Sequence, residues 1–229
     1  MQLIDTHTHL YLPEFDVDRD EVVNRAVRSG VGKLLMPNID VDSVSQMLSV
    51  ERRYPGICYS MTGLHPTSVK EDFSSQIETL KELSVNHKFC AVGEIGIDLY
   101  WDQSTLKDQI TAFKMQVAFA IESGLPVVIH SRNSFPEVFN VLEDFKGSVL
   151  RGVFHAFTGT LQDAEKAISM GFKLGIGGIL TYKNSGLDTV IKETGPAHII
   201  LETDSPYLPP EPYRGKRNES SYLCIINNK

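Results

Sequence analysis

Short apolar runs alternate along the chain with longer stretches in which apolar positions recur at helical spacing. The runs at 2–6, 33–36, 57–62, 90–94, 126–130, 150–154, 173–176 and 199–202 read as strands. Between them, Ile110, Phe113, Val117 and Ile121 mark one face of a helix over 105–123 that Gly124 would stop. Thr160 supplies a capping hydroxyl for a second helix at 161–170, ended by Gly171. Eight strands separated by helices predict repeated βα units around a parallel sheet. The count alone fits either a closed barrel or an open doubly wound sheet. No Pro/Gly/Ser-rich linker divides the chain, so 1–229 is expected to form one domain. The stretch 218–229 is short for a closing helix, and a truncated last helix is the expectation.

Where the chemistry-bearing residues fall decides between the two sheets. Strand alternation sends Asp5, His7 and His9 to one side, which puts an H-x-H pair at a strand's carboxyl end. Taken alone, that pair is as readily two polar loop residues as two metal ligands. Five of the seven histidines, His7, His9, His65, His130 and His155, fall at or beyond the ends of candidate strands one, three, five and six. His87 and His198 lack such placement and read as structural. Glu94 ends strand four and Asp204 follows strand eight. Side chains from so many strands meet at the carboxyl face of a barrel, so the fold class is α/β, a (β/α)8 TIM barrel.

Imidazole nitrogen mixed with carboxylate oxygen suits two divalent ions, Mg²⁺, Mn²⁺ or Zn²⁺. His7, His9 and Asp204 are assigned to one ion, His130 and His155 to the other, and Glu94 to both. Cys58, Cys90 and Cys224 form no C-x-x-C pair and read as reduced core thiols. With 22 Lys and Arg against 29 Asp and Glu the net charge is −7, which disfavours broad attraction to nucleic acid and leaves any polyanion to be held locally. No signal peptide or long apolar run is evident, so the expectations are a cytoplasmic protein, no membrane and no obligatory protein partner.

The motifs DTHTHL at 5–10, GLHP at 63–66, GEIGID at 93–98, IHSR at 129–132, HAFTG at 155–159, ETDSPYL at 202–208 and RGKRNE at 214–219 resemble, in order, those of TatD-type deoxyribonucleases. The resemblance runs from residue 2 to about 222. It implies a metal-dependent deoxyribonuclease on an amidohydrolase-like barrel, acting on single-stranded or damaged DNA, with 3′ to 5′ exonuclease action. Its ligands map onto His7, His9, Glu94, His130, His155 and Asp204, and it places His65 and Glu202 near the substrate phosphate or a further ion. Ala156 stands where many relatives carry cysteine.

In the expected reaction Asp204 accepts the proton of the attacking water, Glu94 centres the site, and His65 acts on the phosphate. His65 and Arg132 hold phosphate oxygens, while Lys216 and Arg217 could be solvated or rim the site. Tyr100, Trp101 and Tyr207 follow strand ends, where they pack in the core or stack on a base. Two other functions fit the same residues: hydrolysis of a cyclic amide, lactone or aminoacyl ester, and a catalytically silent scaffold. The first is disfavoured because Glu94, not lysine, occupies the strand-four position, and the second because every ligand is present.

Overall fold

Successive side chains of a strand point to opposite sides, so one set lies under the surrounding helices and the other faces an enclosed axis. The computed structural model describes residues 2–229. Its strands are β1 Leu3–Asp5, β2 Val31–Met36, β3 Cys58–Ser60, β4 Val92–Asp98, β5 Val127–Arg132, β6 Gly152–Phe154, β7 Phe172–Ile176 and β8 Ile199–Leu201. The helices are α1 Arg19–Arg28, α2 Val41–Arg53, α3 Phe73–Asn86, α4 Leu106–Ser123, α5 Phe135–Glu143, α6 Leu161–Ser169, α7 Leu187–Thr194 and α8 Leu223–Asn227.

Strands pair in parallel in chain order, β1 to β3 and β4 to β8. Two seams close the ring. Thr62 bridges Val92, with Gly93 N donating to Thr62 O at 2.8 Å, and Thr8 bridges Ser205, with Asp204 N donating to His7 O at 2.9 Å. The fold is therefore the expected (β/α)8 barrel. Ile95, Ile97, Val127 and Ile129 join the layer between strands and helices, whereas Met61, Ala91, Val128 and Val153 form a separate buried cluster. Val128 shares parity with His130, so this second cluster floors the site.

The expected helix stops are present. Gly124 caps α4 in the left-handed region at φ 68°, and Thr160 and Asp163 form a reciprocal capping box on α6. Strand four departs from its expected span: it runs on to Asp98 and is buried throughout. Gly96, at φ +142°, permits this extension, because a Cβ there would lie 2.0 Å from the carbonyl oxygen of His130. The three cysteines are free. No helix among the described residues is long and apolar enough to cross a membrane.

Candidate metal centre

The carboxyl ends of the strands surround a cavity of about 700 Å³ whose lining includes His9, His65, Glu94, His130, His155 and Asp204. Glu94 is central and 2% exposed, and its two carboxylate oxygens face different partners. Oε2 stands 3.2 Å from His7 Nε2 and 3.8 Å from His9 Nε2, and those nitrogens are 3.7 and 3.5 Å from Asp204 Oδ1. Oε1 stands 2.7 Å from His130 Nδ1, 3.1 Å from His155 Nε2 and 3.4 Å from His65 Nε2. One acid thus joins two clusters of nitrogen and oxygen donors.

Each donor is aimed by a local device. His7 and His9 continue from β1, whose Asp5 lies buried below them and accepts from Thr203 N at 2.9 Å. Burial pushes the Asp5 carboxyl up to about 7, although bonds from Ser220 and Thr203 pull the other way. Thr203 leads into Asp204, which adopts φ 58°, a left-handed conformation that aspartate tolerates better than most residues. Buried Asn218 clamps this turn by donating from Nδ2 to Thr203 O at 2.7 Å and Tyr207 O at 2.6 Å. His9 Nδ1 lies 3.2 Å from Tyr11 Oη, which donates to Pro37 O at 2.8 Å. The hydroxyl proton is thereby committed, so His9 Nδ1 donates and Nε2 is left with its lone pair facing the cavity.

His130 is turned the other way. Its Nε2 lies 2.8 Å from Asp98 Oδ2, so Nδ1 faces Glu94. Asp98 Oδ1 also accepts from the backbone N–H groups of Tyr100 and Trp101 at 2.9 and 3.2 Å. In His65 the ring accepts at Nδ1 from Thr67 N at 3.1 Å, which places the ring proton on Nε2, toward the site.

The charge pattern is that of a cation site. Burial pushes the Glu94 carboxyl up, but His155, His65, His7 and the bond from His130 hold it well below the ordinary range. Burial likewise opposes ionisation of Asp204, and His9, His155 and His7 override it. His155 is pushed down by burial yet held well above the usual imidazole value by Glu94 and Glu202. His130 is also raised, its burial outweighed by Asp98 and Glu94. His7 and His65 go the other way, lowered chiefly by burial. Both ring nitrogens of His7 are buried without a hydrogen-bond partner, which is costly unless something else satisfies them. The groups His7, His9 and Glu94; His7, His155 and Asp204; and His65, Glu94 and His130 each have donor atoms within 4.8 Å of one another, so a binuclear centre fits the residues present.

The remaining expected site residues divide. Arg132 lines the cavity beside Trp101 and Tyr207. Glu202 sits beneath it, 1% exposed, with Oε1 accepting from Ala156 N and standing 3.3 Å from His155 Nδ1 without a formed hydrogen bond. It stands against His155, behind the side chains that line the cavity. Arg217 is not brought to the site. Its fork bonds Asp18 Oδ1 and Oδ2 at 2.8 and 2.7 Å and the Glu14 carbonyl, over the Phe15 ring. Glu219 pairs with Arg25 at 2.6 Å, so the RGKRNE segment ties the Asp204 turn to α1. The residues missed in the sequence are Asp98, Tyr11 and Asn218. Asp98 carried a signal, since it shares strand parity with Glu94.

The family model described as TatD related DNase matches residues 4–228. An uncharacterized metal-dependent hydrolase, YabD of Bacillus subtilis, is 35% identical over 225 residues, spanning 98% of this chain and 88% of that protein. The 3'-5' ssDNA/RNA exonuclease TatD of Pectobacterium parmentieri is 30% identical over 98% of this chain and 88% of its own length. The crystal structure of YjjV, a TatD homologue from Escherichia coli, superposes with a TM-score of 0.91 at 31% identity, covering 98% of this chain and 87% of that one.

Proposed function

Since the chain belongs to the TatD-related DNase family and is a metal-dependent hydrolase, we propose that the bond it cleaves is a phosphodiester of single-stranded DNA, taken from the 3′ end. The observation that carries this reading is the division of Glu94 between two donor clusters at the floor of a cavity that also holds Arg132. Two divalent ions, Mg²⁺, Mn²⁺ or Zn²⁺, held there by His7, His9, Glu94, His130, His155 and Asp204 would make a water nucleophilic near neutral pH and offset charge on phosphate oxygens.

The protein's own groups do the rest. Asp204 is an ionised carboxylate at the cavity edge and accepts the proton of the attacking water. His65 presents Nε2–H to a phosphate oxygen, and Arg132 offers a planar fork to another. The reacting groups are recessed, with Glu94 2% exposed, and a free strand end reaches such a floor where the middle of a duplex does not. This also reconciles a net charge of −7 with a polyanionic substrate, because attraction is confined to the cavity.

The test offers 5′-labelled single-stranded DNA, and separately a panel of cyclic amides, lactones and aminoacyl esters, to protein loaded with Mg²⁺ or Mn²⁺. Successive shortening of the labelled strand is expected. Turnover of the panel with the DNA left intact would reject the proposal and favour the amidohydrolase reading.

A further inference from the structure

We infer that Trp101, with Tyr100 and Arg132 beside it, is a stacking platform for an unpaired nucleobase next to the scissile phosphate, an assignment that rests on the phosphodiesterase reading and gives it a specificity determinant. Trp101 is the only tryptophan in the chain, and it stands 70% exposed in the loop after β4 while lining the cavity that holds Glu94. Tyr100 is 54% exposed beside it. Large aromatic rings left open at the mouth of a cavity are apolar area waiting for a partner.

The rings are held out by design of the backbone. Asp98 Oδ1 accepts from both Tyr100 N and Trp101 N, and Asp102 Oδ1 closes the next turn by accepting from Ser104 N at 2.8 Å. A fixed loop with a solvent-facing indole loses little freedom on binding, which is what a preorganised contact requires. Packing inside the barrel does not account for this placement, since Trp101 remains among the most exposed large hydrophobic residues.

Arg132 completes the arrangement. Its guanidinium carbon lies 3.8 Å from the Tyr100 ring centroid and 5.6 Å from that of Trp101. The Tyr100 and Trp101 rings meet edge to face at 4.9 Å and 89°. Among the described residues the Arg132 side chain has no ion pair or hydrogen bond, so its N–H groups are free for phosphate oxygens while Tyr100 holds its plane. An aromatic face and a phosphate-binding fork then lie side by side above the donor clusters, matching the alternation of base and phosphate along a single strand. A base inside a duplex has both faces covered by neighbours and cannot use the platform. The same Asp98 carboxylate reaches His130 through its other oxygen, which fixes the platform relative to the metal centre.

The experiment uses metal-loaded protein and oligothymidylate, in an ordinary form and with the terminal bases replaced by abasic sites that keep every phosphate. Trp101→Ala is expected to raise KM on the ordinary strand on the order of 5- to 150-fold, the effect of losing one base stack, with a much smaller fall in kcat. Trp101→Phe should recover most of the loss, and the abasic strand should not distinguish Trp101→Ala from wild type. Because Trp101 is the sole tryptophan, fluorescence of the Mg²⁺-loaded wild type reports the contact without turnover. Quenching by phosphorothioate-linked oligothymidylate but not by its abasic counterpart is expected. An unchanged KM in Trp101→Ala while DNA is still cleaved, or equal quenching by both strands, would overturn the platform. If no nucleic acid is cleaved, the phosphodiesterase reading fails separately, and base-dependent quenching or its absence then decides the platform.

Discussion

Replacing Asp98 by asparagine is expected to weaken one metal site by forcing a tautomer on His130. In the native protein Asp98 is an ionised acceptor, because burial pushes its carboxyl up but the bonds from His130, Tyr100 N and Trp101 N hold it below the ordinary range. Asparagine keeps one acceptor oxygen and turns the other position into a donor. With that oxygen on the two backbone N–H groups, the new NH₂ faces His130 Nε2 and demands a lone pair there. The ring proton must then sit on Nδ1, the nitrogen 2.7 Å from Glu94 Oε1 and the one expected to bind a cation. With the amide flipped, Tyr100 N and Trp101 N face a donor instead, and a buried unpaired donor costs about 1–3 kcal/mol. The first outcome corresponds to roughly 10- to 100-fold in metal affinity, the usual effect of losing an outer hydrogen-bond partner of a ligating histidine, whereas the flip keeps the His130 tautomer and puts its cost on stability, which favours the first. Titration calorimetry of cation-free wild type and Asp98→Asn with Mn²⁺ would resolve the two binding events. Weakening confined to one event is expected; equal weakening of both, or none, would refute the tautomer argument.

Two further outcomes follow from the same geometry. For the cation-free protein, His130 and His155 have raised pKa values, so their stabilisation is complete below about 6.5 and is lost as pH rises through the folded values. His7 and His65 are lowered, so their contribution is present above about 6.5 and is lost as pH falls through theirs. Thermal melting with EDTA should therefore show a stability maximum near the ordinary imidazole range, and added Mn²⁺ should flatten the alkaline fall because it takes the place of those protons; a curve that metal leaves unchanged would contradict this. Arg217→Ala should lower stability by about 1 kcal/mol, or roughly 2–4 °C in Tm, since it removes a partly exposed bidentate pair with Asp18. Its KM for single-stranded DNA should stay that of wild type, and a large rise would return Arg217 to the substrate path.

Much of this architecture can be read from residue order because barrel strands and their carboxyl-end ligands are local signals. His7, His9, His130 and His155 each follow or end an apolar run, and the barrel brings those ends together without further instruction. The end of β4 was harder to see. A strand buried on both faces has no alternation to lose, and Glu94 and Gly96 look like a break where the chain in fact runs on to Asp98. Arg217 and Glu202 depend on tertiary partners that no spacing reveals, Asp18 on α1 for one and the underside of His155 for the other. Asn218 lay inside a recognised motif, yet its clamp on Thr203 and Tyr207 exists only once β8 and the following turn are folded.

The most direct measurement is anomalous diffraction at the manganese edge from crystals grown with Mn²⁺. Two peaks are expected on opposite sides of the Glu94 carboxylate, about 3.5–4 Å apart, one against His7, His9 and Asp204 on the Oε2 side and the other against His130 and His155 on the Oε1 side. A single peak, or peaks that do not touch Glu94, would contradict a centre built on that shared acid.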